Sequence, residues 1–369
     1  MSQMDKASVM LTELKSNSSD RGLSPSMNGK PVKEKTPLAQ HIYFLLVPNF
    51  SMIAFSMAIE PLRLANRVLG ETHYRFELLS ADGKPVRASN GVELSVDQSI
   101  AAVQRECMGP NRTRMVIVCS GIEVEKFQEP SVLGWLRRMY AQGAAIGGVC
   151  TASWILGEAG LLANKRCAIH WENLPGFAER FPETDVQSVL FEADQNIFTC
   201  AGGTASLDMM LHLIGMSLGE EVVTKVCEQC LIDRIRRPED RQRLPIGARV
   251  GVQNPRLIEI IEIMEANIGE PVSLADISDK TRISRRHVER LFRHYMGRSP
   301  ARYYLDVRLE RARRLLRHSN LPIVEVAIAS GFVSASHFSK RYRERYKVSP
   351  QADRRESDMT LPASAFVVT

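Results

Sequence analysis

GGVCTASWILGEAG, residues 147–160, is a run of small residues that carries a cysteine and leads into an amphipathic helix. A strand-to-helix elbow that raises a nucleophile has this composition, so Cys150 is placed where a buried strand ends and a helix begins. Around it, short apolar runs rich in β-branched residues recur at 42–47, 76–80, 114–120, 144–149, 188–193 and 196–200. Helical periods at Phe55–Val68, Val132–Ala141, Ala152–Leu162 and Ala205–Leu218 separate most of them. Buried strands alternating with amphipathic helices predict an α/β domain built on a doubly wound sheet. Ligands of such sheets bind at the carboxyl ends of the strands, and Cys150 lies at one of those ends.

The chain has 369 residues, 44% of them hydrophobic and 24% charged, enough for two or three domains with cores of their own. No apolar run reaches the roughly 18 residues of a membrane span, and the first residues lack the apolar core of a secretory signal. A soluble, cytoplasmic protein without membrane contact is expected. Seven cysteines, at 107, 119, 150, 167, 200, 227 and 230, are an odd number spread through apolar segments, which suits reduced, buried thiols. Cys227 and Cys230 form a C-x-x-C without a second ligand pair nearby, so neither a metal nor a cofactor is expected.

Residues 1–39 are rich in Ser, Lys, Asn and Pro and read as a disordered tail. The α/β domain is expected over 40–235. The Pro, Arg and Gly of RRPEDRQRLPIGARVGVQNP mark a linker over 236–254. From Pro255 the pattern turns to helices only, giving an all-α domain over 255–355 and a second tail over 356–369. That helical part is basic. From Pro255 to Glu356 there are 21 Lys and Arg against 13 Asp and Glu, while the rest of the chain nets −2. A basic module on a near-neutral body points to a polyanion partner.

The helical part also repeats itself. SLADISDKTRISRRHVERLFRHYMGRSP (273–300) lies over PIVEVAIASGFVSASHFSKRYRERYKVSP (322–350), with one extra residue in the second copy before its final helix. Each copy reads as a short helix, a tight turn and a longer basic helix, a helix-turn-helix over 274–295 and again over 322–345. Gly331 supplies the second turn, whereas Arg282 stands in its place in the first. Ser284 and Ser334 are expected to cap the two longer helices. Val288, Leu291, Phe292 and Tyr295 fall on one side of the first longer helix, and Phe338, Tyr342 and Tyr346 on one side of the second. Arg285, Arg286, Glu289 and Arg290 face away from the first core stripe, and Ser336, Ser339, Lys340 and Arg343 from the second. An ordinary solvated basic face is the alternative, but the duplication favours contact with double-stranded DNA in successive major grooves.

The last hundred residues resemble the DNA-binding domain of AraC/XylS-type bacterial regulators, through Gly331, Phe332, Ser334, His337, Phe338, Lys340, Tyr342, Arg343 and Pro350. The body resembles the PfpI-type, glutamine-amidotransferase-like fold, which implies a flavodoxin-like sensor domain. The pairing is characteristic of GlxA-type regulators, and among these the chain is most similar to members that govern glycine betaine catabolism. The resemblance implies a transcriptional activator of catabolic genes answering to glycine betaine or dimethylglycine. Carnitine, arginine or sarcosine as effector, and repression from the same operator, are the alternatives. It further implies promoter DNA, RNA polymerase and a second copy of the chain as partners.

In the enzymes that share the fold, a glutamate from the first strand–helix connection polarises the cysteine and a histidine acts as acid–base partner. Glu60, Cys150 and His170 match these positions. A thiol at a helix N-terminus beside a histidine has a depressed pKa, so a cysteine-dependent hydrolase or amidase is the competing function. The attached DNA-binding module favours sensing, with the triad vestigial and no residue catalytic. The expected ligand site comprises Glu60, Cys150, Thr151, Trp154, His170 and Trp171, because aromatic faces beside a carboxylate suit a quaternary ammonium. Amides at Thr151–Ser153 or in 202–205 would take the carboxylate end of a betaine. Phe50 and Phe55 flank the first connection, Phe55 as core.

Overall fold

The computed structural model describes residues 40–106 and 114–359. The tail expected over 1–39 and the last part of the second one, from 360 on, lie outside these residues, as does Cys107. Seven strands, β1 (Gln40–Leu46), β2 (Tyr74–Ser80), β3 (Gln98–Ser99), β4 (Arg114–Cys119), β5 (Ala145–Val149), β6 (Phe191–Asp194) and β7 (Ile197–Cys200), form one sheet. Their order is β6-β7-β5-β4-β1-β2-β3. Neighbours run parallel except β6 and β7, which form an antiparallel hairpin. The order reverses beside β1, so the loops after β1, β4 and β5 meet at the topological switch point.

The helices of this domain are α1 (Met52–Leu69), α2 (Ile100–Glu106), α3 (Pro130–Ala141), α4 (Ser153–Glu158), α5 (Leu174–Arg180), α6 (Ala205–Leu218) and α7 (Glu220–Cys230). They cover both faces of the sheet. Phe44, Ile117, Leu62 and Met210 share one core with α1, α6 and α7. Leu45, Val118, Trp135 and Phe177 share the other with α2 to α5. Adjacent residues such as Phe44 and Leu45 serve opposite cores because side chains alternate along a strand, which is why the central strands read as unbroken apolar runs.

The segment after the α/β domain is tied down at several points. Arg236 donates to the buried Asp208 carboxylate through its backbone N–H (2.9 Å), Nε (3.0 Å) and Nη2 (2.6 Å). Gln242 Nε2 donates to the carbonyls of Ile169 (3.0 Å) and Val189 (2.7 Å). A short helix follows, α8 (Ile246–Val250), and Ile246 and Val252 pack into the core of the helical domain. No helix of the described residues is long and apolar enough to cross a membrane.

The helical domain contains α9 (Pro255–Ala266), α10 (Leu274–Thr281), α11 (Arg285–Met296), α12 (Pro300–His318), α13 (Ile323–Ala329), α14 (Ala335–Tyr346) and α15 (Pro350–Met359). It has two small cores, one around Ile260, Val288, Phe292 and Tyr303, the other around Leu309, Leu315, Phe338 and Tyr342. α12 contributes to both and joins them. α15 runs on past residue 355, where the sequence offered no apolar period to extend it. Arg354 ties it to the carbonyls of Leu316 and Leu321, and a buried carboxylate ties it to α12 and α14. Asp353 accepts from Arg313 Nε (2.9 Å), Arg317 Nη2 (2.8 Å) and Tyr342 Oη (2.7 Å).

Burial pushes the Asp353 carboxyl up, yet its bonds from Tyr342 and Arg317 and the charges of Arg317 and Arg313 hold it below the ordinary range. A depressed carboxyl contributes stability that is present at neutral pH and lost on acidification. Asp353→Asn is expected to cost about 2–3 kcal/mol at pH 7, since both arginines keep access to water. In paired thermal melts the wild-type advantage should shrink below about pH 4. An equal deficit at pH 7 and pH 3 would contradict the ion-pair account.

Candidate sensor pocket and nucleic-acid interface

Cys150 follows β5 directly and takes the left-handed region, at φ 65°, a strained conformation for a residue with a side chain. Gly202, at φ 82°, lies against it: a Cβ there would fall 2.5 Å from Cys150 Cβ. The elbow can turn only because residue 202 lacks a side chain. Thr151 Oγ1 donates to the Gly121 carbonyl (2.6 Å), and Ser153 Oγ to the Ala168 carbonyl (2.6 Å). Both hydroxyls fasten neighbouring segments to the elbow.

The thiol is not activated. Burial, with the neighbouring Cys200 and Glu172 adding to it, pushes Cys150 up to about 12 against the pull of the Thr151 amide and the Ser51 hydroxyl. The depressed pKa expected from the helix N-terminus is therefore reversed, because a thiolate inside this core loses more hydration than those dipoles return. Glu60 does not face the thiol either. It lies nine residues after Ser51, the N-cap of α1, or about 13 Å along that helix. Its carboxylate is half exposed and accepts from Arg63 Nε (2.8 Å). The polar side chain that α1 offers the sulfur is the Ser51 hydroxyl.

Trp154 also departs from expectation. At 4% exposure it is a core residue, edge-on to Phe177 and Phe181 at 6.1 and 5.6 Å. One turn of helix turned it inward, since an elbow helix packed on a sheet has no free face for so large a ring. Phe50 and Phe55 are core as well, 5.7 Å apart.

His170 and Trp171 do sit beside the elbow. The His170 N–H donates to the Cys150 carbonyl (3.2 Å), and its ring lies 5.7 Å from that of Trp171. Burial lowers the His170 pKa against the opposing charge of Glu172, whose carboxylate is 3.7 Å from Nδ1. Trp171 carries two cations: the guanidinium of Arg243 lies 4.5 Å from the ring centroid and that of Arg314 lies 5.4 Å from it. Arg243 belongs to the segment between the domains and Arg314 to α12. The strap 170–172 thus starts at the elbow and ends on the helical domain.

Longer-range charge effects and one close approach extend this junction, none of them announced by a motif. The Glu172 charge acts on Arg314 and on His318. Glu179 acts on Arg311. Gly176 of α5 lies so close to α12 that an added Cβ would be 2.6 Å from the His318 carbonyl oxygen.

On the helical domain, Arg285, Arg286, Glu289, Arg290, Ser336, Lys340 and Arg343 are exposed, and Ser339 is half-buried. Behind them Val288, Leu291, Phe292, Phe338 and Tyr342 are buried. Tyr295, placed on the core side by periodicity, is 43% exposed. Ser284 accepts from the His287 N–H (3.4 Å) and Ser334 from the His337 N–H (3.2 Å), so both caps form as expected. Arg282 takes the left-handed region at φ 54°. Gly331 cannot be replaced in the same way, because a Cβ there would fall 2.5 Å from Pro271 Cγ. Arg308 of α12 braces this second turn, donating to the Ser330 carbonyl (3.0 Å) and lying over the Phe332 ring at 4.3 Å.

A flavodoxin-like α/β domain followed by a tandem helix-turn-helix domain defines a class of regulator, and sequence comparison agrees. Residues 40–216 match the DJ-1/PfpI family and residues 277–356 a helix-turn-helix domain. The chain is 41% identical to the HTH-type transcriptional regulator GbdR of Pseudomonas aeruginosa, over 90% of this chain and 89% of that protein. It is 39% identical to CdhR of the same organism, over 89% of this chain and 95% of that one. It is 35% identical to GlxA of Rhizobium meliloti, over 86% and 96%. The chain belongs to this family of transcriptional regulators, which join a DJ-1/PfpI domain to an AraC-type DNA-binding domain.

The buried thiol generates one expectation. Iodoacetamide at pH 8 should label Cys150 in the native protein about a hundredfold more slowly than in the unfolded chain, read by mass spectrometry of its peptide. Labelling at the rate of a free cysteine would mean that the thiolate is accessible after all.

Proposed function

We propose that the chain is an effector-responsive transcriptional activator in which ligand binding at the elbow is transmitted through Trp171. The observation that carries this reading is the position of the Trp171 ring, next to His170 and within reach of the guanidinium groups of Arg243 and Arg314. A cationic effector seeks an aromatic face with a carboxylate nearby. Trp171 and Glu172 offer both. The resemblance described above favours glycine betaine or dimethylglycine, whose carboxylate end would take amides at Thr151 or the 202–203 turn. An effector ammonium reaching that ring takes a place that an arginine holds, so binding and loosening of the domain contact become one exchange. The effector then shifts the population by its differential affinity for the two arrangements. Cysteine catalysis is the weaker reading, because the thiol is protonated and its neighbour is a serine hydroxyl.

On the DNA side, α11 and α14 are taken to enter successive major grooves. Arg290→Ala and Lys340→Ala should each weaken specific binding by about 1–3 kcal/mol if they read base edges, and less if they touch phosphate. Mobility-shift titration at fixed salt measures this. Unchanged affinity in both variants would overturn the assignment of the recognition helices.

The coupling is tested separately. Gly176→Ala places a methyl 2.6 Å from the His318 carbonyl oxygen and should push α5 and α12 apart without touching the elbow. Transcription without effector is expected to rise, and the induction ratio to fall. Trp171→Ala should weaken betaine binding in calorimetry more than it lowers the melting temperature. If Gly176→Ala leaves basal and induced transcription unchanged, the signal does not pass through this junction. If the wild type ignores betaine and dimethylglycine but answers another amine, the coupling stands and the effector is different.

A further inference from the structure

The two helix-turn-helix units align residue on residue except at one position. Thr281 and Ser330 are both buried at the end of the first helix, Arg282 and Gly331 both take the left-handed region, and Ile283 and Phe332 are both buried. Ser284 and Ser334 both cap the following helix. Between Phe332 and Ser334 the second unit carries Val333, which has no counterpart in the first. Its exposure is 99%.

Nothing in the fold uses this side chain. The turn is closed on either side of it, by the Gly331 N–H on the Ile328 carbonyl (2.8 Å), the Phe332 N–H on the Ala327 carbonyl (2.9 Å) and the Ser334 cap. Phe332 is locked between Phe338 (5.2 Å) and Arg308 (4.3 Å). A branched apolar side chain is therefore held at a defined place, immediately before the first turn of α14, with no protein neighbour. In a helix-turn-helix the amino-terminal end of the second helix is the part that approaches base edges. The other exposed residues there, Ser334, Ser336 and His337, with Lys340 and Arg343 further along, are polar or basic and suit phosphates and hydrogen-bonding edges. The one apolar group that a base pair displays in the major groove is the C5 methyl of thymine.

We propose that Val333 is a specificity residue that packs on a thymine methyl in the half-site read by α14. The inference rests on α14 being a recognition helix. It makes the two half-sites chemically different: the one read by α11, whose unit lacks this residue, carries no matching requirement for a methyl group. Val324 and Ile328, one turn apart on α13, are also exposed apolar residues, at 55% and 63%. A protein partner covering them together with Val333 is the outcome that would count against the proposal.

The test uses the full chain and sites selected from random DNA. Each thymidine of the selected sites is replaced in turn by deoxyuridine, which removes the methyl and keeps the pairing, and affinity is read by mobility shift at fixed salt. One thymidine in the α14 half-site should show a loss of about fourfold, the worth of one buried methyl group. Val333→Ala should lose a similar factor on the natural site, lose nothing further at that deoxyuridine, and melt at the wild-type temperature. A flat deoxyuridine scan, with Val333→Ala binding like wild type while Lys340→Ala still binds more weakly, would overturn the role of Val333 and leave α14 in the groove. If Lys340→Ala and Arg343→Ala are also without effect, α14 is not a recognition helix and the proposal falls with it. Loss of transcription in Val333→Ala at unchanged DNA affinity would assign the side chain to a protein contact instead.

Discussion

Gly176 has no side chain, and a Cβ there would fall 2.6 Å from the carbonyl oxygen of His318. This approach of α5 to the carboxyl end of α12 brings the two domains close enough for the rest of the junction to form. Trp171 can then lie under Arg314, the Glu172 charge can reach Arg314 and His318, and the strap that hangs from the Cys150 carbonyl can end on the helix that joins both helix-turn-helix units. A small residue at a helix crossing is an ordinary packing device. Here it decides that the elbow and the DNA-binding unit share a surface.

The same packing sets the chemistry of the elbow. Burial lowers the pKa of His170 and His318 and raises that of Cys150. Positive charge at the junction is carried by arginines, whose guanidinium groups tolerate partial burial and stack on aromatic faces. The elbow thus sets a buried thiol and a buried imidazole beside an indole covered by arginines.

The duplicated units show how one motif is held in two ways. The first turn accepts Arg282 in the left-handed region because its side chain points to solvent; the second needs Gly331 because Pro271 crowds it. α12 feeds both cores and braces the second turn through Arg308, while Asp353 ties α15 back to α12 and α14. Each unit is too small to bury its own helices, so the shared central helix is what makes a pair of them stable.

The sequence by itself determined the elements and their grouping. Unbroken apolar runs and helical periods marked the parallel sheet, the elbow at Cys150, both helix-turn-helix units and their Ser284 and Ser334 caps, because strand burial and helix capping are local in the chain. Only the tertiary structure decided which of the elbow's neighbours meet. Glu60 matched a motif by order along the chain, but two and a half turns of helix carry it away from the sulfur and leave Ser51 there. Trp154 looked like pocket and is core, since burial of a large ring depends on what packs over it. Trp171 was legible as an aromatic beside His170, but its arginine partners stand about 70 and 140 residues further on in sequence. Neither pairing leaves a periodic trace, because contacts between distant segments are set by the approach of whole elements and not by the spacing of residues within one.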